Sequence, residues 1–153
     1  MVESSGIDVV VVSVKVPDHF DPTISHVIPA LIRRTLEAEG KLEVWGSGKQ
    51  TRSFMYIDDC VQGIHKLIMS ERKEPLNLGT DRLVKINQLL DIVSEIAGKK
   101  LTKRHDLSRP QGVRGRNSDN TRLRQVLEWE PSISLEEGLA TTYHWIEKQL
   151  KNS

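Results

Sequence analysis

The sequence predicts an α/β domain, on three observations. Residues 7–14 form a β-branched, nearly continuous apolar run, which suits a strand covered on both faces in a parallel sheet. Further along, five stretches read as helices from their apolar spacing and end signals, separated by short extended pieces at 42–45, 52–57 and 76–78. The length, 153 residues, supports one modest core.

The first strand begins so early that its partners either lie downstream or belong to sequence the chain lacks. Pro17, Asp18, Asp21 and Pro22 make a loop. Ser25 is expected to cap a helix that runs to about Glu39 and stops at Gly40, with Pro29 in the first turn, where a missing N–H is harmless. The strand at 42–45 meets a turn at Gly46 and Gly48. Asp58 is expected to cap a helix that buries Val61, Ile64 and Ile68. Beyond the strand at 76–78, Ile86, Leu89, Leu90, Val93 and Ile96 share a helix ended by Gly98. Asp119 is expected to cap a short helix carrying Leu123, Val126 and Leu127. The last helix opens with a capping box, Ser134 with Glu137, and its stripe is Leu135, Leu139, Tyr143, Ile146 and Leu150.

Composition excludes several classes. Apolar residues at 37% and charged residues at 28% describe a soluble, ordered chain. The formal charge of +1 supplies no global field for nucleic acid or a membrane surface, so an anion site must be local. No apolar run is long enough to span a bilayer, and the first six residues lack the basic cluster of a signal peptide. The single cysteine, Cys60, excludes an internal disulfide and fits a reducing cytoplasm; its apolar neighbours point to packing. His65, His105 and His144 show no ligand spacing with Cys60, so no metal site is expected.

The most informative stretch is Trp45, Gly46, Ser47, Gly48, Lys49, Gln50, Thr51, Arg52. Two glycines allow a tight turn, and a lysine, a glutamine and an arginine follow at once. The arginine fork matches a diphosphate, and a glutamine can read the polar edge of a base or ribose. A hairpin with a solvated basic tip is the plainer alternative. It is neither a dinucleotide fingerprint, lacking the third glycine, nor a Walker loop, because Gln50 stands where a hydroxyl is needed. Arg109, Arg114 and Arg116 lie in a second turn-rich loop that can close over phosphate oxygens; a solvated loop and an RNA patch are the other readings, the latter disfavoured by poor aromatic interleaving. His26 is placed in the first turn of a helix, where the dipole favours neutral imidazole, able to give or take a proton; a surface histidine is the bland alternative. Short-chain dehydrogenase chemistry needs a lysine four residues after a tyrosine, whereas Tyr56 and Tyr143 are followed there by Cys60 and Glu147.

With these residues in view, the chain resembles the carboxy-terminal half of extended short-chain dehydrogenases of the NAD-dependent epimerase/dehydratase family acting on nucleotide sugars. Asp18 to Pro22, Ser25 to Arg34 and Val44 to Gly48 resemble its GDP-fucose synthase branch; Gly48 to Phe54 and Gly112 to Asn120 resemble its GDP-mannose 3,5-epimerase branch. The tail, Leu127 to Pro131 followed by Ser134 to Leu139, resembles the family at large. The resemblance implies a small substrate-binding domain (23–153) with a remnant strand and helix of the Rossmann sheet, residues 1–22 being that remnant strand and its loop, and no cofactor-binding half. It implies that His26 moves a proton, and that Arg34, Val44, Trp45, Gln50, Arg52, Arg109 and Arg114 bind substrate. The ligand implied is a nucleotide diphosphate sugar, with NAD or NADP in the intact parent and none bound by this chain alone. The chemistry implied is redox at the sugar C4, where a keto group acidifies the protons at C3 and C5.

Departures bound the resemblance. Val27 stands where the mannose epimerase branch carries its catalytic lysine, so 3,5-epimerisation by that machinery is not expected. Ser13, Val14, Lys15, Val16 and Pro17 replace the usual stretch ahead of the substrate domain, and Glu128 replaces a glycine at a helix end, a strain if its φ is positive. The rival reading is a stand-alone, non-catalytic nucleotide-sugar or assembly module. Either way, self-association is expected through the apolar faces of 7–14 and the first helix.

Overall fold

The computed structural model describes residues 11–12, 25–71, 74–109, 114–115 and 117–152. Among them the α/β fold predicted from the sequence is present. The order is β1 (Val11–Val12), α1 (Val27–Glu37), β2 (Lys41–Trp45), β3 (Thr51–Arg52), β4 (Met55–Tyr56), α2 (Ile57–Met69), β5 (Val84–Lys85), α3 (Ile86–Ile96), β6 (Thr102–Asp106), α4 (Thr121–Leu127) and α5 (Leu135–Lys151). The strands pair two by two: β1 with β4 and β2 with β6 in parallel, β3 with β5 antiparallel. No helix among the described residues is long and apolar enough to cross a membrane. The rest of the run 7–14, the loop around Pro17 and Pro22, and Arg116 lie outside the described residues.

The main core joins α1, β2, α3 and α5. Ile28, Leu31 and Ile32 meet Leu42 and Val44, Leu89, Leu90 and Val93, and Leu139, Tyr143 and Ile146. These are the residues that helical and alternating periodicity select, and each such side chain taken from water contributes roughly 1.5–3 kcal/mol. A smaller cluster gathers Met55, Cys60, Leu76, Leu78 and Leu123 beneath α2 and α4. Cys60 packs there as expected, and burial pushes its thiol pKa up.

Helix ends differ from the sequence reading in instructive ways. His26, not Ser25, is the residue before α1, and its side chain caps nothing. Pro29 still falls in the first turn. At the other end Ala38 is extended and Gly40 belongs to the turn before β2. The free carbonyls of α1 are met instead by Lys99, whose Nζ donates to Thr35 O (3.0 Å), Leu36 O (2.6 Å) and Ala38 O (3.2 Å). Lys99 is placed by the stop of α3: Gly98 turns left-handed (φ +63°), its N–H reaches Glu95 O, and Lys99 N–H reaches Ser94 O, a Schellman closure.

α2 starts at Ile57, so Asp58 lies inside its first turn and Tyr56 takes the cap position. Asp119, by contrast, is one residue early: Asn120 holds the cap position of α4, and the Asp119 carboxylate accepts from Thr121 N at 2.9 Å. Ser134 does cap α5, accepting from Glu137 N at 3.2 Å. Leu76 and Leu78 are buried but form no assigned strand, whereas β5 was not anticipated. Glu128 ends α4 with φ +47°, left-handed, so the condition for strain at this position is met.

The largest correction concerns α2. Val61, Ile64 and Ile68 face outward, 58%, 45% and 73% exposed, with Met69 beside them. The inner face is Asp59, Cys60 and Gly63. The Asp59 carboxylate accepts from Ser132 N (3.1 Å) and Ile133 N (2.9 Å), so a buried charge is satisfied by the chain between α4 and α5. A side chain on Gly63 would overlap Leu78 and Trp129.

Candidate functional site

The site begins with the alternation of β2. Leu42 and Val44 point into the core, leaving Glu43 and Trp45 on the other face, where Trp45 Nε1 donates to Glu43 Oε1 at 3.2 Å. Val27, Ala30, Leu31 and Arg34 follow one face of α1 at helical spacing and turn toward the same strand. The Arg34 guanidinium lies 5.1 Å from the Trp45 ring centroid, within cation–π range.

After Trp45 the chain reverses through Gly46 and Gly48, at φ +71° and +65°. A Cβ on Gly48 would also overlap the side chain of Asn87. The turn is held to the start of α3: Asn87 N donates to Gly48 O, Asn87 Nδ2 to Ser47 O, and Ile86 N to Gln50 O. Gln50 and then Arg52 are thereby set opposite Arg34. A cleft of about 300 Å³ results, lined by Arg34, Val44, Trp45, Gln50 and Arg52, with Leu31, Ile86 and Leu90 as an apolar side.

Gln50 Nε2 donates to Trp45 O at 3.4 Å, which orients the amide, and its Oε1 is buried with no hydrogen-bond partner. Such an acceptor is costly to leave unmet. The fit to a ligand N–H or O–H donor is direct.

Five of the seven residues expected to bind substrate line this one cleft. The other two approach it from β6 and the loop beyond. In the parallel ladder Trp45 stands opposite Asp106, and Gly46 N donates to Asp106 O at 2.7 Å. The turn that follows brings the Arg109 guanidinium to 5.1 Å from the Trp45 centroid and its Nε to 3.3 Å from Asp106 Oδ2. Arg109 therefore sits on Trp45 and is absent from the cleft lining. Arg114 joins through its backbone, its carbonyl accepting from Thr51 N (2.9 Å) and Thr51 Oγ1 (3.3 Å), while its side chain is exposed. His26 is exposed at the N-cap and does not line the cleft, although its neighbours Ser25 and Val27 do.

Ser25, Val27, Ala30, Leu31, Glu43, Ile86 and Leu90 were missed. Period two from Trp45 selects Glu43, and period 3.6 from Arg34 selects Val27, Ala30 and Leu31, so much of the lining was within reach of the sequence. Ile86 and Leu90 carry no such signal.

Residues 3–79, half of the chain, match the NAD dependent epimerase/dehydratase family. The chain belongs to that family. GDP-mannose 3,5-epimerase of Arabidopsis thaliana is 43% identical over 122 residues, 80% of this chain and 32% of that protein. GDP-L-fucose synthase of Escherichia coli (strain K12) is 39% identical over 142 residues, 84% of this chain and 44% of that protein. Among solved structures, UDP-glucose 4-epimerase of Thermotoga maritima, determined with UDP-glucose, superposes with a TM-score of 0.77 at 31% identity, covering 87% of this chain and 43% of that one. The chain thus spans about a third to under a half of these relatives' length.

The tyrosines of this chain do not fit the family's redox chemistry. Tyr143 is in the core, and the ring of Tyr56 packs where any side chain on Gly138 would go. Burial, then Asp58, raises the pKa of Tyr56; burial, then Glu147, raises that of Tyr143 against a smaller opposing effect of Lys151. Both shifts disfavour a phenol that must give up its proton, so neither tyrosine is set up to exchange a proton in nicotinamide chemistry.

Proposed function

We propose that this chain is the substrate-binding portion of an NAD- or NADP-dependent nucleotide-sugar epimerase or reductase, with a GDP-sugar as its ligand, and that alone it turns nothing over. The observation that carries the reading is the single cleft shared by Arg34, Val44, Trp45, Gln50 and Arg52. Arg34 and Arg109 are each 5.1 Å from the same ring centroid, so their guanidinium carbons are no more than twice that distance apart, near enough to share a diphosphate. The Gln50 acceptor suits a base amine or a sugar hydroxyl, and Arg114, whose carbonyl accepts from Thr51, adds an exposed positive charge. His26, between Ser25 and Val27 of the cleft lining, would move the proton at the sugar once a cofactor-bearing portion is supplied. Calorimetric titration with GDP, UDP and their sugars tests the reading: tight, base-selective binding of a GDP ligand is expected, and silence toward all of them contradicts it. NAD(P)-dependent conversion of any GDP- or UDP-sugar by the purified chain contradicts the inactive-alone part.

Self-association is part of this reading. Of the two faces expected to carry it, most of the run 7–14 lies outside the described residues and the apolar face of α1 is buried, so the exposed apolar stripe available is on α2. Val61, Ile64 and Ile68 form this stripe. Two copies of α2 laid antiparallel would bury these stripes against each other. Light scattering is expected to show a dimer that Ile64→Asp dissolves; a monomer at high concentration contradicts it.

A further inference from the structure

We propose that Asp106 is a positioning residue for Arg109: it holds the guanidinium on Trp45 while the cleft is empty and competes with a diphosphate for it. The proposal rests on the reading of the cleft given above and adds a residue that tunes its affinity.

The two oxygens of Asp106 have separate tasks. Oδ1 accepts from Ser108 N at 3.0 Å and Ser108 Oγ at 2.6 Å, which shapes the turn after β6. Oδ2 faces Arg109 Nε at 3.3 Å. The Ser108 hydrogen bonds first, and Arg109 after them, hold the Asp106 carboxyl below its ordinary pKa, so it is a full anion beside the guanidinium at neutral pH. Arg109 is half exposed. Its two anchors, one carboxylate oxygen and one indole face, are each weak, and a diphosphate offers the same fork a stronger charge. Arg34, by contrast, already lines the cleft, so the arginine that must move is Arg109. Trp45 is the element common to both positions, because its ring is also part of the cleft wall.

Asp106→Asn separates the two tasks, since the amide oxygen can still accept from Ser108 while the amide nitrogen no longer attracts Arg109. The test is calorimetric titration of the wild-type chain, Asp106→Asn, Arg109→Ala and the double variant with GDP and with inorganic pyrophosphate. Asp106→Asn is expected to bind about two- to five-fold more tightly, the size of an exposed ion pair, and the gain is expected to vanish when Arg109 is alanine. Unchanged or weaker binding by Asp106→Asn overturns the proposal. A gain that persists without Arg109 also overturns it, because mere removal of a negative charge would then account for it. If no chain binds either anion, the reading of the cleft falls and the affinity role with it. The resting position of Arg109 is then read without ligand. Arg109→Ala and Asp106→Asn are expected to shift tryptophan emission in the same direction, and neither to do so in a Trp45→Phe background. Absence of that shift shows that Asp106 does not hold Arg109 on the ring.

Discussion

Lys99 Nζ donates to Leu36 O at 2.6 Å, and to Thr35 O and Ala38 O as well, closing the end of α1 from the end of α3. The three carbonyls carry the negative end of the α1 dipole, so an ammonium is both the donor and the charge they need. Lys99→Met keeps the aliphatic stem and removes the donor. It is expected to cost about 1–3 kcal/mol, read as a lower urea midpoint at unchanged slope. A midpoint equal to wild type would show that water serves these carbonyls as well.

Glu128 holds φ +47° at the end of α4, where an L side chain is strained and a glycine is not. Its side chain is exposed, so little packing is lost on removal. Glu128→Gly is expected to stabilise the chain by about 0.5–1 kcal/mol in the same urea experiment. Destabilisation would mean that the carboxylate makes a contact worth more than the strain.

Arg82 clasps Glu136 with two hydrogen bonds, 2.8 and 2.6 Å long, joining the segment before β5 to the first turn of α5. The Arg82 hydrogen bond, as the leading cause, lowers the Glu136 pKa from 4.5 to about 2. A pKa lowered on folding stabilises the folded chain above the ordinary carboxylate range, and the stabilisation fades as pH falls toward 2. Both side chains are about half exposed, so screening limits it to about 0.2–1 kcal/mol. Glu136→Gln is expected to lose that amount at pH 7 and almost nothing near pH 2; an equal loss at both would contradict the charge argument.

Much of the architecture was legible because burial follows periodicity: the stripes of α3 and α5 and the alternation of β2 appear in the core as spaced in the sequence. Helix starts were read one or two residues off, since β4 runs straight into α2 and leaves no room for Asp58 to cap. The inward face of α2 was not legible. Hydropathy selects Val61, Ile64 and Ile68, but Asp59 is satisfied by backbone donors some seventy residues later, and Gly63 by the shapes of Leu78 and Trp129. Long-range partners of that kind leave no local trace. In the site, Arg34, Gln50 and Arg52 were legible from residue chemistry and family resemblance. The resting place of Arg109 was not, because it depends on the Trp45–Asp106 register, which only the β2–β6 pairing establishes.

The central claim is that Arg52 and Arg109 join Arg34 around one nucleotide diphosphate. Titrating GDP into the wild-type chain and into a chain carrying Arg52→Ala with Arg109→Ala measures it most directly. Two charge-assisted forks are worth roughly 3–6 kcal/mol together, so the double variant is predicted to bind at least about a hundred-fold more weakly. Equal affinity in the two chains, or a wild-type chain that binds no GDP at all, would contradict it.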